Sequence, residues 1–224
     1  MNGGTDRTVH GGRCRAVSRD VGIGLTGTPA LLVDTALAAP ASMRRFVTMN
    51  PFHYDPRWRI PVPGLPGTSA SSMESIWQAL KLVDGRTDLR MLDSPPTKRP
   101  PESQRGAGFD YPSTTLAYRS TQVGLVEARY RIYLPAYLHI LEALVPQEPL
   151  QEIRDALRAG RDVVFYDWDD NFDIEDPRSS FSHSAVLAAW FGGRIEEEFL
   201  RRMRRRFSHH ESHGRTASDE LTER

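Results

Sequence analysis

Proline decides where this chain of 224 residues cannot be helical. Residues 50–67, NPFHYDPRWRIPVPGLPG, carry five prolines, and residues 94–114 are again rich in Pro, Ser and Gly. Each proline removes a backbone donor and clashes with the preceding turn, so neither stretch holds a long helix. The first still contains Phe52, Tyr54 and Trp58, too apolar for a linker, and reads as an ordered loop. The second is a long loop of the kind that often lines a binding site. Between them lies one strongly helical segment, about 72–84, stopped by Gly85.

Further along, apolar spacing predicts helices over 121–133, 135–145, 148–159 and 182–190, with a charged helix over 194–206 beyond a kink at Gly192-Gly193. Residues 162–166, DVVFY, are the one convincing strand, and an acidic loop, 167–178, follows it. The expected fold is therefore mainly α: a single compact helical domain with one or two short strands and long Pro-rich loops. Residues 1–45 read as a flexible N-terminal extension, 46–200 as the domain, and 201–224 as a basic, then polar, disordered tail. The stretch 21–42 imitates a secretory signal, but Asp34, Pro29 and three glycines interrupt its apolar middle, and an extension is the preferred reading.

Charge and cysteine usage narrow the function classes. Lys plus Arg and Asp plus Glu are 29 each, which argues against a nucleic-acid coat or a polybasic membrane binder. One cysteine, Cys14, excludes an intramolecular disulfide framework and a multi-cysteine zinc site. With no run of about 18 apolar residues, a cytoplasmic chain with no membrane contact is expected. Only Lys81 and Lys98 are lysines; the other cations are arginines. Arginine serves wherever a fixed charge is enough, but not where an amine must lose a proton and act as a nucleophile.

The segment SSMESIWQALK at 71–81 carries the most chemistry. Met73, Ile76, Trp77, Leu80 and Val83 form an apolar stripe at helical spacing. Glu74, Gln78 and Lys81, at i, i+4 and i+7, share a neighbouring face over about 10 Å of helix axis. If the Pro-rich loops cover that face, it is the floor of a pocket holding a carboxylate, an amide and an amine. Alternatively Ser71-x-x-Glu74 is a capping box, with Gln78 and Lys81 on a solvated surface.

This run resembles the S-x-E-x-x-x-Q-A-x-K helix of the NADAR (YbiA-like) superfamily, as an uncharacterised branch of it. Asn50-Pro51-Phe52 resembles the family's stretch before that helix, Lys98-Arg99 its downstream segment, residues 121–144 its middle helices, Trp168-Asp169-Asp170-Asn171 its tryptophan loop, and 182–200 its closing helix. The loop lacks the family's glycines. The resemblance implies a mostly helical N-glycosidase, a hydrolase of ADP-ribose-like or phosphoribosylated nucleotide derivatives that works without a cofactor. Nucleic acid would enter only as an ADP-ribosylated substrate. It implies a Schiff-base nucleophile at Lys81 and an acid at Glu74, with Asp169 or Asp170 as partner acid. Gln78 and Asn171 would meet the ribose, and Trp77, Trp168, Phe52, Asn50 and His183 would line the site. Lys98, Arg99 and Arg105 would hold phosphates.

Two other classes remain open on the residues alone. One is a binding module for such nucleotides without turnover. The other is a metal-dependent phosphoesterase built on Asp167–Asp173, although Phe172 and Arg178 stand where an EF-hand needs Gly and Glu. His209, His210 and His213 lie in the polar tail at helical spacing but one residue short of a zinc-protease motif.

Overall fold

The computed structural model describes residues 11–100 and 110–207. Strand β1 (Cys14–Ser18) leads straight into a short helix α1 (Arg19–Gly24), and β2 (Leu31–Asp34) follows. A 3₁₀ helix, Ala41–Met49, enters the first Pro-rich loop, which holds an antiparallel pair, β3 (Ile60–Pro61) and β4 (Ser69–Ala70). Helix α2 (Met73–Leu80) comes next. Beyond the second Pro-rich stretch, β5 (Thr115–Tyr118) and β6 (Thr121–Gly124) form a hairpin. One helical run then comprises α3 (Leu125–Ala128), a π turn (Arg129–Tyr133), α4 (Leu134–His139) and a second π turn (Ile140–Leu144). The chain continues as α5 (Gln147–Arg158), β7 (Val163–Asp167), α6 (His183–Phe191), a π turn (Glu196–Leu200) and α7 (Arg201–Phe207).

The organising element is a three-stranded parallel sheet in the order β1-β7-β2. Val163 of β7 pairs with Cys14 on one side and Leu31 on the other. All five residues of β7 are buried, as expected of a parallel strand covered on both faces. Helix α6 packs on β1 and β7, while α1 and α5 also pack on β7. The fit at α1 is close: a Cβ on Gly22 would lie 2.3 Å from Cγ of Tyr166.

The mainly α expectation is thus corrected to a mixed α/β fold. Two of the three parallel strands come from residues 14–18 and 31–34, inside the stretch read as a flexible extension. Their apolar runs are too short to read as strands alone. Each is stabilised by β7, more than a hundred residues away in sequence. Residues 121–124, expected to open a helix, pair with β5 instead. The helix expected over 72–84 ends at Leu80, because Lys81 turns extended and bridges to Leu116. Residues 201–207 are helical, in line with the charged helix expected over 194–206, so the tail begins later than residue 201. Residues 1–10 of the extension, Arg105 and the tail from 208 onward, with His209, His210 and His213, lie outside the described residues. No helix among the described residues is long and apolar enough to cross a membrane.

The core joins both halves of the chain. Met73, Ile76 and Leu80 of α2 pack in one cluster with Met49, Ile60, Leu116, Tyr137 and Phe165. Full burial of such side chains stabilises the fold by about 1.5–3 kcal/mol each. The three parallel strands end together at Ser18, Asp34 and Asp167. The crevice outside the carboxyl ends of such strands is where open α/β sheets receive ligands.

Candidate functional site

Helix α2 is buried on all sides, which forces its polar residues to find partners. Ser72, rather than Ser71, is the N-cap, its Oγ accepting the Ser75 N–H at 2.9 Å. Glu74 therefore does not close a capping box. Its backbone N–H donates to the Pro51 carbonyl, pinning the first Pro-rich loop, and its carboxylate faces along the helix. Gln78 Nε2 donates to Glu74 Oε1 at 2.5 Å. Gln78 Oε1 accepts from Lys81 Nζ and from the Arg99 N–H, each at 2.9 Å. Lys81 Nζ also donates to the Arg99 carbonyl at 3.0 Å. Glu74, Gln78 and Lys81 are 8%, 3% and 6% exposed. The second Pro-rich stretch is thus what covers this face.

The opposite wall is built at the strand ends. Asp167, the last residue of β7, accepts the Trp168 N–H at 2.6 Å through Oδ1 and meets His183 Nδ1 at 2.6 Å through Oδ2. His183 is the first residue of α6, which is capped by Ser182. Its Nε2 lies 2.5 Å from Thr35 Oγ1, just beyond β2. The neighbouring Asp34 accepts the Ala36 N–H through Oδ1 and pairs with Arg19 through Oδ2 at 3.1 Å. The Arg19 guanidinium lies 4.4 Å from the Trp168 ring centre. Each of the three parallel strands therefore hands a side chain or a turn to this wall.

A cavity of about 490 Å³ separates the two walls, within the range of small-molecule sites. Of the residues expected at a site, it brings together Glu74, Trp77, Gln78 and Lys81 on the floor. Asn50, Phe52 and Lys98 come from the Pro-rich loops, and Trp168, Asp169 and His183 from the strand-end wall. Trp168 is 74% exposed at the mouth, and Lys98 is exposed beside it on the rim.

Three expected residues stand elsewhere. Arg99 lies behind the floor, its guanidinium donating to the carbonyls of Gln78 and Arg86 at 3.0 and 3.2 Å. It caps α2 rather than offering charge to a phosphate. Asp170 is exposed and does not line the cavity. Asn171 donates to the Asp176 and Ser179 carbonyls and accepts the Asp173 N–H, so it shapes the loop. The carboxylates expected to hold a metal diverge: Asp167 turns to His183 and Asp173 to Arg202. No group of three or more His, Cys, Asp or Glu side chains converges for an ion among the described residues.

The structure also adds residues that the sequence pattern did not bring to the site. Tyr133, Arg129, Tyr111 and Phe181 line the cavity, together with Ala36–Ala38. Arg129 is fully buried, and its guanidinium holds the carbonyls of Ile174, Asp176 and Ser179 at 3.1, 2.6 and 2.6 Å. Arg129 and Tyr133 sit in a π turn inside the helical run, a feature frequent at functional sites that apolar periodicity does not reveal.

The environment drives the acids apart. Burial pushes the Glu74 carboxyl up, and the charge of Asp169 adds to this, against the opposing effects of Gln78, Lys81 and Lys98. Asp169 is also raised, first by burial and then by the charge of Asp167. Burial would raise Asp167 as well, but His183, the Trp168 N–H and Arg19 outweigh it and the net shift is downward. The cavity thus holds two carboxyls shifted upward and one shifted downward, a separation of the kind found in acid–base sites.

No curated protein and no solved structure matches this chain. A model of a protein family of unknown function, DUF6939, matches residues 26–187. That span includes β2, both Pro-rich loops, α2 and the Asp167–His183 wall. Since it covers more than half of the chain, the protein belongs to the DUF6939 family, a family of unknown function.

Proposed function

We propose that this cavity cleaves the N-glycosidic bond of an ADP-ribose-like or phosphoribosylated nucleotide derivative, with Lys81 as nucleophile. The reading rests on one observation: a buried lysine amine ends a hydrogen-bonded row, Glu74–Gln78–Lys81, on the cavity floor. The resemblance of that helix to the NADAR motif supports the same chemistry.

The reaction balances as follows. The ribose ring opens as its ring oxygen takes a proton from a raised carboxyl, Glu74 or Asp169. The Lys81 amine adds to the anomeric carbon, and the bond from that carbon to the base nitrogen breaks. The base leaves with a proton, and lysine is left as a Schiff base. Water adds to the C=N bond, freeing the sugar aldehyde and restoring the amine. In this reading Lys98 at the rim meets a phosphate and the exposed Trp168 stacks on a base; both line the cavity. The proposal places this chemistry in the cytoplasm, where the free thiol of Cys14 stays reduced.

A second reading is a nucleotide-binding module without turnover. It is favoured by the two hydrogen bonds that Lys81 Nζ already donates, an arrangement suited to a permanent ammonium. One experiment separates the two. Wild type and Lys81→Arg are mixed with ADP-ribose and borohydride, and intact mass is read. A reduced ADP-ribose adduct on wild type alone, mapped to Lys81, supports the glycosidase. No adduct, with binding seen by calorimetry, supports the module, and neither adduct nor binding overturns both.

A further inference from the structure

Three tyrosines lie on the helical run 130–137, and two of them have protein partners. Tyr130 donates to Glu175 Oε1 at 2.9 Å, and Tyr137 donates to the Met49 carbonyl at 2.5 Å. The third, Tyr133, has no hydrogen-bond partner among the described residues. Its hydroxyl is not a sealed polar atom, because it opens to the cavity that the side chain lines.

The ring is held on three sides. It stacks on Tyr137 at 5.6 Å, and meets Trp77 edge-on at 6.1 Å and Phe181 edge-on at 6.2 Å. The backbone beneath it is the π turn Arg129–Tyr133, where the wider winding shifts the register of side chains on the helix. A clamped aromatic ring with an unused hydroxyl in a cavity is pre-organised for a ligand, since little side-chain entropy remains to be lost on binding.

The surroundings select the kind of ligand atom. Burial and the charges of Tyr137, Asp167, Glu74 and Asp169 push the phenol well above its ordinary value, so the hydroxyl keeps its hydrogen. A phosphate is disfavoured among three carboxyls. The exposed Lys98 at the rim suits it better. A neutral sugar oxygen fits the inner end, accepting from the phenol while its own hydroxyls donate to the carboxyls.

We infer that the Tyr133 hydroxyl is a ligand-binding group that donates a hydrogen bond to the terminal ribose of the substrate, at a hydroxyl or the ring oxygen. This inference rests on the nucleotide reading given above and adds the direction of binding: terminal sugar inward, phosphates toward the rim.

The test is calorimetric titration of wild type and Tyr133→Phe with ADP-ribose and with ADP, which lacks the terminal ribose. Tyr133→Phe is expected to unfold at the wild-type temperature, because the lost hydroxyl has no protein partner. It is expected to bind ADP-ribose about three- to tenfold more weakly, the effect of one neutral hydrogen bond, and to bind ADP as wild type does. Unchanged affinity for ADP-ribose, or an equal loss for both ligands, overturns the assignment of Tyr133 alone. Failure of wild type to bind either ligand overturns the nucleotide reading and this inference with it.

Discussion

His183 Nδ1 lies 2.6 Å from Asp167 Oδ2, and its other ring nitrogen lies 2.5 Å from the Thr35 hydroxyl. The carboxylate holds a proton on Nδ1, while Thr35 serves Nε2 as donor or acceptor. All three side chains are buried, and this row joins the end of β7, the start of α6 and the turn after β2.

Thr35→Val keeps the shape of the side chain and leaves His183 Nε2 without its partner. It is expected to lower stability by about 1–3 kcal/mol, the cost of an unsatisfied buried polar group, whereas Thr35→Ser keeps the hydroxyl and stays closer to wild type. Urea denaturation of both variants is the check. Equal midpoints for the two would show that the hydrogen bond carries no stability.

The Asp167 carboxyl sits below its ordinary value of 3.8 in the folded chain. The unfolded chain therefore binds the proton first on acidification, and stability rises with pH across this window. The contribution is complete above about pH 4 and is lost as pH falls through the folded value. Asp167→Asn should be less stable than wild type at pH 6, with the gap narrowing below pH 4. A gap that does not depend on pH would refute this account of the Asp167 carboxylate.

Glu74 has the opposite sign. Its folded value is above the ordinary 4.5, so the native state binds the proton more tightly and stability falls as pH rises from 4.5 toward the folded value. Glu74→Gln keeps an acceptor for Gln78 and removes the charge. It should be more stable than wild type at pH 7 and nearly equal at pH 4, and loss of the proposed turnover would assign the acid to Glu74 rather than Asp169. Stability curves measured at the two pH values decide this.

Gly22→Ala puts a methyl against the Tyr166 ring and is expected to cost about 1–3 kcal/mol, as overpacking does. Gly24→Ala, in the same helix, meets nothing within 4 Å and should be neutral or slightly stabilising. Matching thermal midpoints for the two variants would refute the close packing of α1 on β7.

A chain beginning at Phe46 lacks β1, α1 and β2. It should show no cooperative unfolding transition by circular dichroism, since β7 would lose both its neighbours and its apolar residues their cover. A sharp transition in that fragment would mean that the sheet is dispensable.

The legible parts of the fold were those fixed by local chemistry. The Gly192-Gly193 break and the DVVFY strand follow from neighbours in sequence, and each has its counterpart in the structure, whereas the helix expected to run up to Gly85 ends at Leu80 because of the distant bridge from Lys81 to Leu116. The spacing of Glu74, Gln78 and Lys81 was equally visible, because helical geometry alone puts them on one face. What could not be read was long-range pairing. CRAVS and LLVD become strands only against β7, so the parallel sheet and the Thr35 turn were hidden in a stretch that looked like an extension. Tyr133 was hidden for another reason: apolar periodicity treats a tyrosine on a buried helix as core, and does not say where its hydroxyl ends.

The order of the strands has a consequence for synthesis. The central strand is the last of the three to leave the ribosome, so β1 and β2 emerge without a partner while more than a hundred further residues are made. Neither edge can pair, and the cavity has no second wall, until Asp167 is out. Nascent chains therefore carry bare strand edges across that whole stretch of synthesis, open to pairing between chains until β7 arrives.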